Sequence, residues 1–210
     1  MTESEWLTCT RPHGMLDFLE SRKASGRKLR LFSGACCRRL ERVFLDSACC
    51  QVIEVSDRFA DGQADEEELS RAGGVINTLG EEAVKTGYEE VLRALGSLGI
   101  PKAPLGFERV LRAVRSREKE SRCQCNLLRD VFGNPFRKTA INRAWLAWND
   151  GTVRKLAQVI YDTRAFDRLP LLADALEDAG CTDADILSHC RQSGEHVRGC
   201  WVVDALLGKE

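Results

Sequence analysis

The 210-residue chain is 43% hydrophobic and 30% charged, which is the composition of an ordinary soluble globular protein. Its 31 basic and 32 acidic residues give a net charge of -1, which excludes a global electrostatic attraction to nucleic acid or to an anionic membrane. The chain begins with the polar and acidic residues MTESEW, and its apolar runs are far shorter than the ~20 residues that cross a bilayer.

Ten cysteines are the unusual feature of the composition. In a secreted chain of fewer than ~100 residues they would indicate a disulfide framework. This chain is longer and shows no secretory signal, so reduced thiols and a cytoplasmic location are expected. The adjacent pairs Cys36-Cys37 and Cys49-Cys50 favour thiols as well, because neighbours on a helix point about 100° apart. Most of the ten are therefore expected to pack as small hydrophobic side chains.

The first third of the chain shows helix starts and apolar stripes. Thr2 and Glu5 have the spacing of a capping box, and Pro12 marks the start of a second helix. A longer helix is predicted from Leu29. Behind it, apolar residues at helical spacing form a stripe that ends before Asp61-Gly62: Phe44, Ala48, Val52, Val55 and Phe59.

Glycines and prolines interrupt the middle of the chain. Gly73, Gly74 and Gly80 predict a kinked or broken pair of helices between Glu66 and Leu98. Pro101 and Pro104 then mark a loop. We expect a single helical domain over residues 1–210. A candidate subdomain boundary lies near 99–105, between N-terminal helices (1–98) and C-terminal helices (106–210).

The C-terminal part carries the clearest helix signals. Gly133-Asn134-Pro135 predicts a turn, and Asp150-Gly151-Thr152 predicts a helix cap. A helix is predicted over Phe166–Ala179 with Gly180 as its terminator. Thr182 with Asp185 resembles a further cap, and the last helix is predicted over His196–Leu207.

Strand-like alternation bounded by turns is not found in any part of the sequence. The predicted fold class is therefore all-α, as a compact multi-helix bundle or orthogonal helical array of roughly eight to ten helices.

Several phrases resemble an uncharacterised protein family that recurs in planctomycete-type bacterial genomes. They are LRLFSGACCRRLERV, LLRDVFGNPFR, WNDGTVRKLAQVIYD, AFDRLPLLADALEDAGC and HVRGCWVVDALLGK. The likeness covers most of the chain and is densest from Leu127 to Lys209. It implies one natural bacterial folding unit and transfers no activity, cofactor or catalytic residue.

A group of cysteines and histidines near the C-terminus is the sharpest chemical pattern: Cys181, His189, Cys190, His196 and Cys200. Zinc accepts four nitrogen or sulfur ligands, and the i, i+4 pair His196 and Cys200 would share one helical face. The CxxC knuckle of most structural zinc sites is missing. Zinc is therefore a possible cofactor. The favoured interpretation is that the chain has no cofactor, that the cysteines fill apolar helix faces and that the histidines lie near the surface.

A basic stretch is the second candidate for binding. Between residues 22 and 42 the only acidic residue is Glu41, while the basic residues are Arg22, Lys23, Arg27, Lys28, Arg30, Arg38, Arg39 and Arg42. Such a face can contact the phosphates of nucleic acid or an acidic protein. In the alternative, it pairs with the acidic residues of segment 54–68.

Catalytic signatures are weak throughout the sequence. His196 and Cys200 form a candidate thiol dyad. No Gly-rich phosphate loop, Ser-His-Asp arrangement or HExxH motif accompanies it. The sequence therefore favours a non-enzymatic interaction or regulatory module of a bacterial multi-component system that binds a protein partner. The alternatives are a nucleic-acid-binding protein that uses segment 22–42 and a zinc-containing helical protein.

Overall fold

The protein is described by a computed structural model over residues 1–41, 47–78, 89–101 and 118–209. Within these ranges the chain forms eleven α-helices, one short 3-10 helix (Phe166–Arg168) and no β-strand, which confirms the all-α prediction. The helices are α1 (Glu3–Thr8), α2 (Pro12–Ser21), α3 (Gly26–Glu41), α4 (Ser47–Ala60), α5 (Glu66–Thr78), α6 (Glu89–Leu98), α7 (Glu118–Phe132), α8 (Arg143–Thr163), α9 (Leu169–Asp178), α10 (Ala184–Arg191) and α11 (Trp201–Leu207).

The chain divides into two compact units. Unit 1 comprises Thr8–Leu128 together with Met1, and unit 2 comprises Arg129–Glu210 together with Thr2–Leu7. The predicted single domain with a boundary near 99–105 stays a prediction, and residues 102–105 lie outside the described residues. No described helix is both long and apolar enough to span a membrane.

In unit 1, helices α3, α4, α5 and α6 pack against one another. Their apolar stripes supply buried residues such as Phe32, Val52 and Leu69. Helix α4 ends at Ala60, directly before Asp61-Gly62 as predicted, while Phe44 of the predicted stripe lies outside the described residues.

Two described helices, α5 and α6, lie between Glu66 and Leu98, in agreement with the predicted broken pair. Gly73 and Gly74 do not interrupt the chain as predicted, because both lie inside α5. Gly73 allows the backbone of Gly99 to approach helix α5 closely. A Cβ atom on it would lie 2.7 Å from the Cα atom of Gly99, which no packed side chain tolerates. The third glycine of that prediction, Gly80, lies outside the described residues.

In unit 2, the N-terminal helix α1 begins with the predicted capping box. The backbone N–H of Thr2 donates to Glu5 Oε2 (2.7 Å), and the backbone N–H of Glu5 donates to Thr2 Oγ1 (3.2 Å). Trp6 is fully buried, and its indole N–H donates to the carbonyl of Gly133 (2.9 Å). Arg129 in turn donates to the carbonyl of Trp6 (2.8 Å). Helix α1 is thereby joined to the C-terminal end of α7.

The core of unit 2 comes from helices α8, α9, α10 and α11, with residues such as Ile160, Leu172, Ile186 and Val203 fully buried. Helix α8 is broken at Trp148–Gly151, where the backbone leaves the helical conformation. Asp150, which was predicted to cap a helix, lies within this break between two helical segments.

Two helix starts of unit 2 differ from the sequence predictions. Helix α10 is capped by Asp183, whose carboxylate accepts from the backbone N–H groups of Asp185 and Ile186, and not by Thr182. The last helix begins at Trp201 instead of His196. Its predicted first turn is a non-helical segment that includes Gly199, with a positive φ of 95°.

Candidate metal centre

Four side chains of unit 2 meet at one buried point: Asp130, His189, His196 and Cys200. Asp130 lies in the last turn of α7, and His189 lies in the last turn of α10. His196 belongs to the segment between α10 and α11, and Cys200 is the residue directly before α11. Three separate parts of the chain therefore contribute to the group.

Local backbone features hold these parts in place. Gly133 ends α7 with a φ of 64°, and a Cβ atom there would lie 3.0 Å from the ring of Trp201. Gln192 ends α10 in an extended conformation. The backbone N–H of Cys200 donates to the carbonyl of Val197 (2.9 Å), which turns the chain before α11. These turns bring His196 and Cys200 to the carboxylate of Asp130.

The candidate ligand atoms lie within 4.8 Å of one another. Asp130 Oδ1 is 2.6 Å from His196 Nδ1 and 3.2 Å from His189 Nε2. His189 Nε2 is also 3.2 Å from Cys200 Sγ. Around a tetrahedral zinc ion with bonds of about 2.0–2.3 Å, neighbouring ligand atoms are ~3.3–3.8 Å apart. An ion therefore fits after shifts of about 1 Å, in which Asp130 and His196 move apart and the most widely separated ligand atoms, up to 4.8 Å apart, move closer together.

All four side chains are buried. The side chains of His189 and His196 are 9% and 6% exposed, and Asp130 and Cys200 are 2% and 0% exposed. The interpretation that placed both histidines near the surface is wrong. Each histidine borders a cavity, His189 one of about 390 Å³ and His196 one of about 470 Å³.

The charges of the group are strongly coupled. Burial by itself raises the pKa of Asp130, but the hydrogen bonds from His189 and His196 hold it below the usual value. Burial likewise opposes a charge on His196, and its hydrogen bond to Asp130 still raises the pKa of the imidazole. Burial, followed by the nearby Asp130 carboxylate, raises the pKa of Cys200 well above that of a free thiol. The group thus combines one carboxylate with imidazole and thiol groups that carry protons. A cation that binds there can displace those protons.

The arrangement is able to hold a metal ion and differs from a catalytic triad. In a triad, the acid and the nucleophile contact opposite nitrogens of the histidine. Here Asp130 Oδ1 and Cys200 Sγ both lie 3.2 Å from the same nitrogen, His189 Nε2. The raised pKa of Cys200 also disfavours the reactive thiolate. The predicted helical pairing of His196 with Cys200 is wrong, since neither belongs to a helix.

The structure brings together three of the five residues predicted from the Cys/His pattern: His189, His196 and Cys200. Cys181 and Cys190 pack with Cys200 in the hydrophobic core of unit 2, but they are not members of the cluster of candidate ligands. Burial raises the pKa of Cys190 to about 12, as expected for an inert thiol. Asp130 is the member of the cluster that was not predicted from the sequence. Its signal was an acidic residue beside the apolar positions Leu127, Leu128 and Val131.

The basic stretch is largely engaged within unit 1. Arg27 pairs with Asp61 at 3.0 Å, and Arg38 pairs with Asp57 at 2.8 Å. These two ion pairs join the basic stretch to segment 54–68, which is the alternative that the sequence left open.

Other members of the basic stretch have partners elsewhere in unit 1. Arg39 pairs with Glu120 at 2.6 Å, and Arg30 donates to the carbonyl of Leu98 at 2.8 Å. The guanidinium of Arg22 lies 4.7 Å from the ring centre of Phe18. Arg42 lies outside the described residues.

The chain matches no protein family, no curated protein and no solved structure with which it was compared.

Proposed function

We propose that unit 2 binds one zinc ion through Asp130, His189, His196 and Cys200, and that the ion has a structural role. The observation that carries this proposal is the convergence of Asp130 Oδ1, His196 Nδ1, Cys200 Sγ and His189 Nε2 on one buried point. Asp130 and His196 are 66 residues apart in the chain, so the ion closes long loops of unit 2.

The donor set suits zinc better than the other common ions. Mg²⁺ and Ca²⁺ prefer oxygen ligands, whereas a thiolate with two imidazoles favours zinc or a similar transition metal. Four protein ligands fill a tetrahedral shell, which is typical of a structural site, because a catalytic zinc keeps a position for water. The second oxygen of Asp130 already accepts from the backbone N–H of Val197 (2.9 Å), so Oδ1 remains the ligand atom.

Zinc content is the direct test. Protein purified without chelator is expected to contain about one zinc ion per chain by elemental analysis. Zinc at a hundredfold excess over its Kd should add about 2.7 kcal/mol to the free energy of unfolding and raise the melting temperature by ~10 °C or more.

Cys190 and Cys200 form a matched pair for the control, since both are buried thiols of the same core. Cys200→Ser should lose the zinc and the zinc-dependent rise in melting temperature. Cys190→Ser should keep both. A substoichiometric metal content in the wild type, with no stabilisation on adding zinc, would contradict the proposal, as would equal behaviour of the two variants.

The other functional predictions from the sequence keep their status. Binding of a protein partner, binding of nucleic acid and membership of the planctomycete-type family stay predictions. The cytoplasmic location is likewise a proposal. All ten cysteines are present as thiols, which is the usual state in a reducing compartment. The proposed zinc site needs the same state, because Cys200 must be reduced to bind a metal ion.

A further inference from the structure

The geometry around His189 points to a positioning residue: the side-chain amide of Gln192 serves both tautomers of His189 and thereby sets how tightly the ion is held. This inference rests on the proposed zinc site. It assigns to Gln192 a role in regulating that site, although Gln192 is not itself a ligand.

Gln192 contacts the side of His189 that faces away from the other ligands. Its side-chain nitrogen lies 3.1 Å from His189 Nδ1, whereas Asp130 and Cys200 contact Nε2 on the other side of the ring. The backbone N–H of Gln192 donates to the carbonyl of Ser188 (2.9 Å), which fixes where the side chain starts. The amide is therefore held at the outer edge of the imidazole.

The faces of the His189 ring are held by neighbouring rings. His196 packs edge-on with ring centres 4.9 Å apart, and Trp201 packs at a tilt with ring centres 5.1 Å apart. These contacts restrict the ring plane, but they do not decide which nitrogen carries the proton. The hydrogen bonds at its two nitrogens decide that.

The hydrogen-bond partner of His189 Nδ1 must be a donor in the metal-free site and an acceptor in the zinc-bound site. Without an ion, His189 can keep its proton on Nε2 and donate it to Asp130, while Nδ1 accepts from the amide N–H of Gln192. When zinc binds, it takes the lone pair of Nε2, so the proton must sit on Nδ1 and needs an acceptor. A 180° turn of the amide puts the Gln192 carbonyl oxygen there. The His189 imidazole gains and loses no net proton, while Cys200 Sγ and His196 Nδ1 each release one proton to water when they bind the ion.

The residue type matters for this role. A glutamine offers both a donor and an acceptor at the same place, whereas a carboxylate offers an acceptor alone. Substitution by alanine removes the acceptor that the zinc-bound state requires. Substitution by glutamate keeps it.

Zinc competition against a chromophoric chelator tests the inference with the full chain. Gln192→Ala should weaken zinc binding about 10–100-fold, the usual effect of losing such a partner. Gln192→Glu should bind zinc at least as tightly as the wild type. The control is Gln158→Ala, because the Gln158 amide bonds to Asp162 on the surface (2.8 Å) and should not influence the ion.

A second readout follows the proton itself. Nitrogen-edited NMR of the imidazoles should show the His189 proton move from Nε2 to Nδ1 when zinc is added to the wild type. Wild-type zinc affinity in Gln192→Ala, or a loss in Gln192→Glu as large as in Gln192→Ala, would overturn the inference while leaving the zinc site intact. A wild-type protein that binds no zinc overturns the proposed function, and this inference with it.

Discussion

Asp130 is the residue on which the charge balance of unit 2 depends. It is 2% exposed, and it receives the backbone N–H of Val197 as well as the imidazoles of His189 and His196. A buried carboxylate without a partner costs several kcal/mol. A positive charge is therefore required next to Asp130, and either a proton on His196 or a metal ion supplies it.

The metal-free protein should show this requirement in its pH dependence. Because the folded state raises the pKa of His196, the stability from this pair is complete below pH 6.5 and is lost as pH rises through the folded pKa. Because the folded state lowers the pKa of Asp130, its contribution is present above pH 3.8 and is lost as pH falls through the folded pKa. Urea unfolding in chelator should therefore show the greatest contribution between these values.

The variant Asp130→Asn is the control for this dependence. It removes the carboxylate that raises the pKa of His196, so the loss of stability above pH 6.5 should shrink. An unchanged pH profile in the variant would show that other groups cause the dependence.

At the level of single residues, the sequence could offer as candidates those members of the cluster that lie close together in the chain. His189, His196 and Cys200 lie within twelve residues, and their imidazole and thiol groups are of types that can bind a metal ion. Asp130 could not be paired with them, because the fold alone brings a residue of α7 to this segment. Cys181 and Cys190 have the same chemistry as Cys200 and lie in the same core, and only the fold decides that Cys200 is the thiol that meets Asp130, His189 and His196.

At the level of elements, helix starts were predictable where a local signal fixes them. The capping box of Thr2 and Glu5 and the proline at the start of α2 are examples. The last helix was placed too early because the apolar pattern continues back to His196. Gly199 takes a positive φ and turns the chain, which periodicity cannot reveal. That turn directs Cys200 to the cluster with Asp130, His189 and His196.

Two adjacent glycines of helix α5 give a prediction about packing. Gly73→Ala should lower the free energy of unfolding by about 1–3 kcal/mol, because its Cβ atom would meet the backbone of Gly99. Gly74→Ala has open space around the new Cβ atom and should raise the free energy by about 0.4–1 kcal/mol through the lower entropy of the unfolded chain. Chemical denaturation measures both. Equal effects at the two positions would mean that Gly99 does not approach Gly73.

At the level of the whole molecule, the division into units was beyond the reach of sequence patterns. The two compact units divide at Leu128, inside α7, where no local signal marks a boundary. Residues 2–7 join unit 2 through Trp6, whose partner Gly133 is 127 residues away. Contacts of this range depend on packing, and no composition shift marks them.

Because all four ligands belong to unit 2, zinc should protect that unit in hydrogen exchange. Zinc at a hundredfold excess over its Kd should slow exchange about 100-fold for amides of unit 2 that exchange only when the unit opens. The buried residues Val202 and Val203 of α11, which follow Cys200 directly, report on this opening. Mass spectrometry with and without chelator measures the effect, and the core of α4 in unit 1 serves as the internal reference. Equal protection of α4 would show that zinc acts on the molecule at another place, since no proposed ligand lies in unit 1.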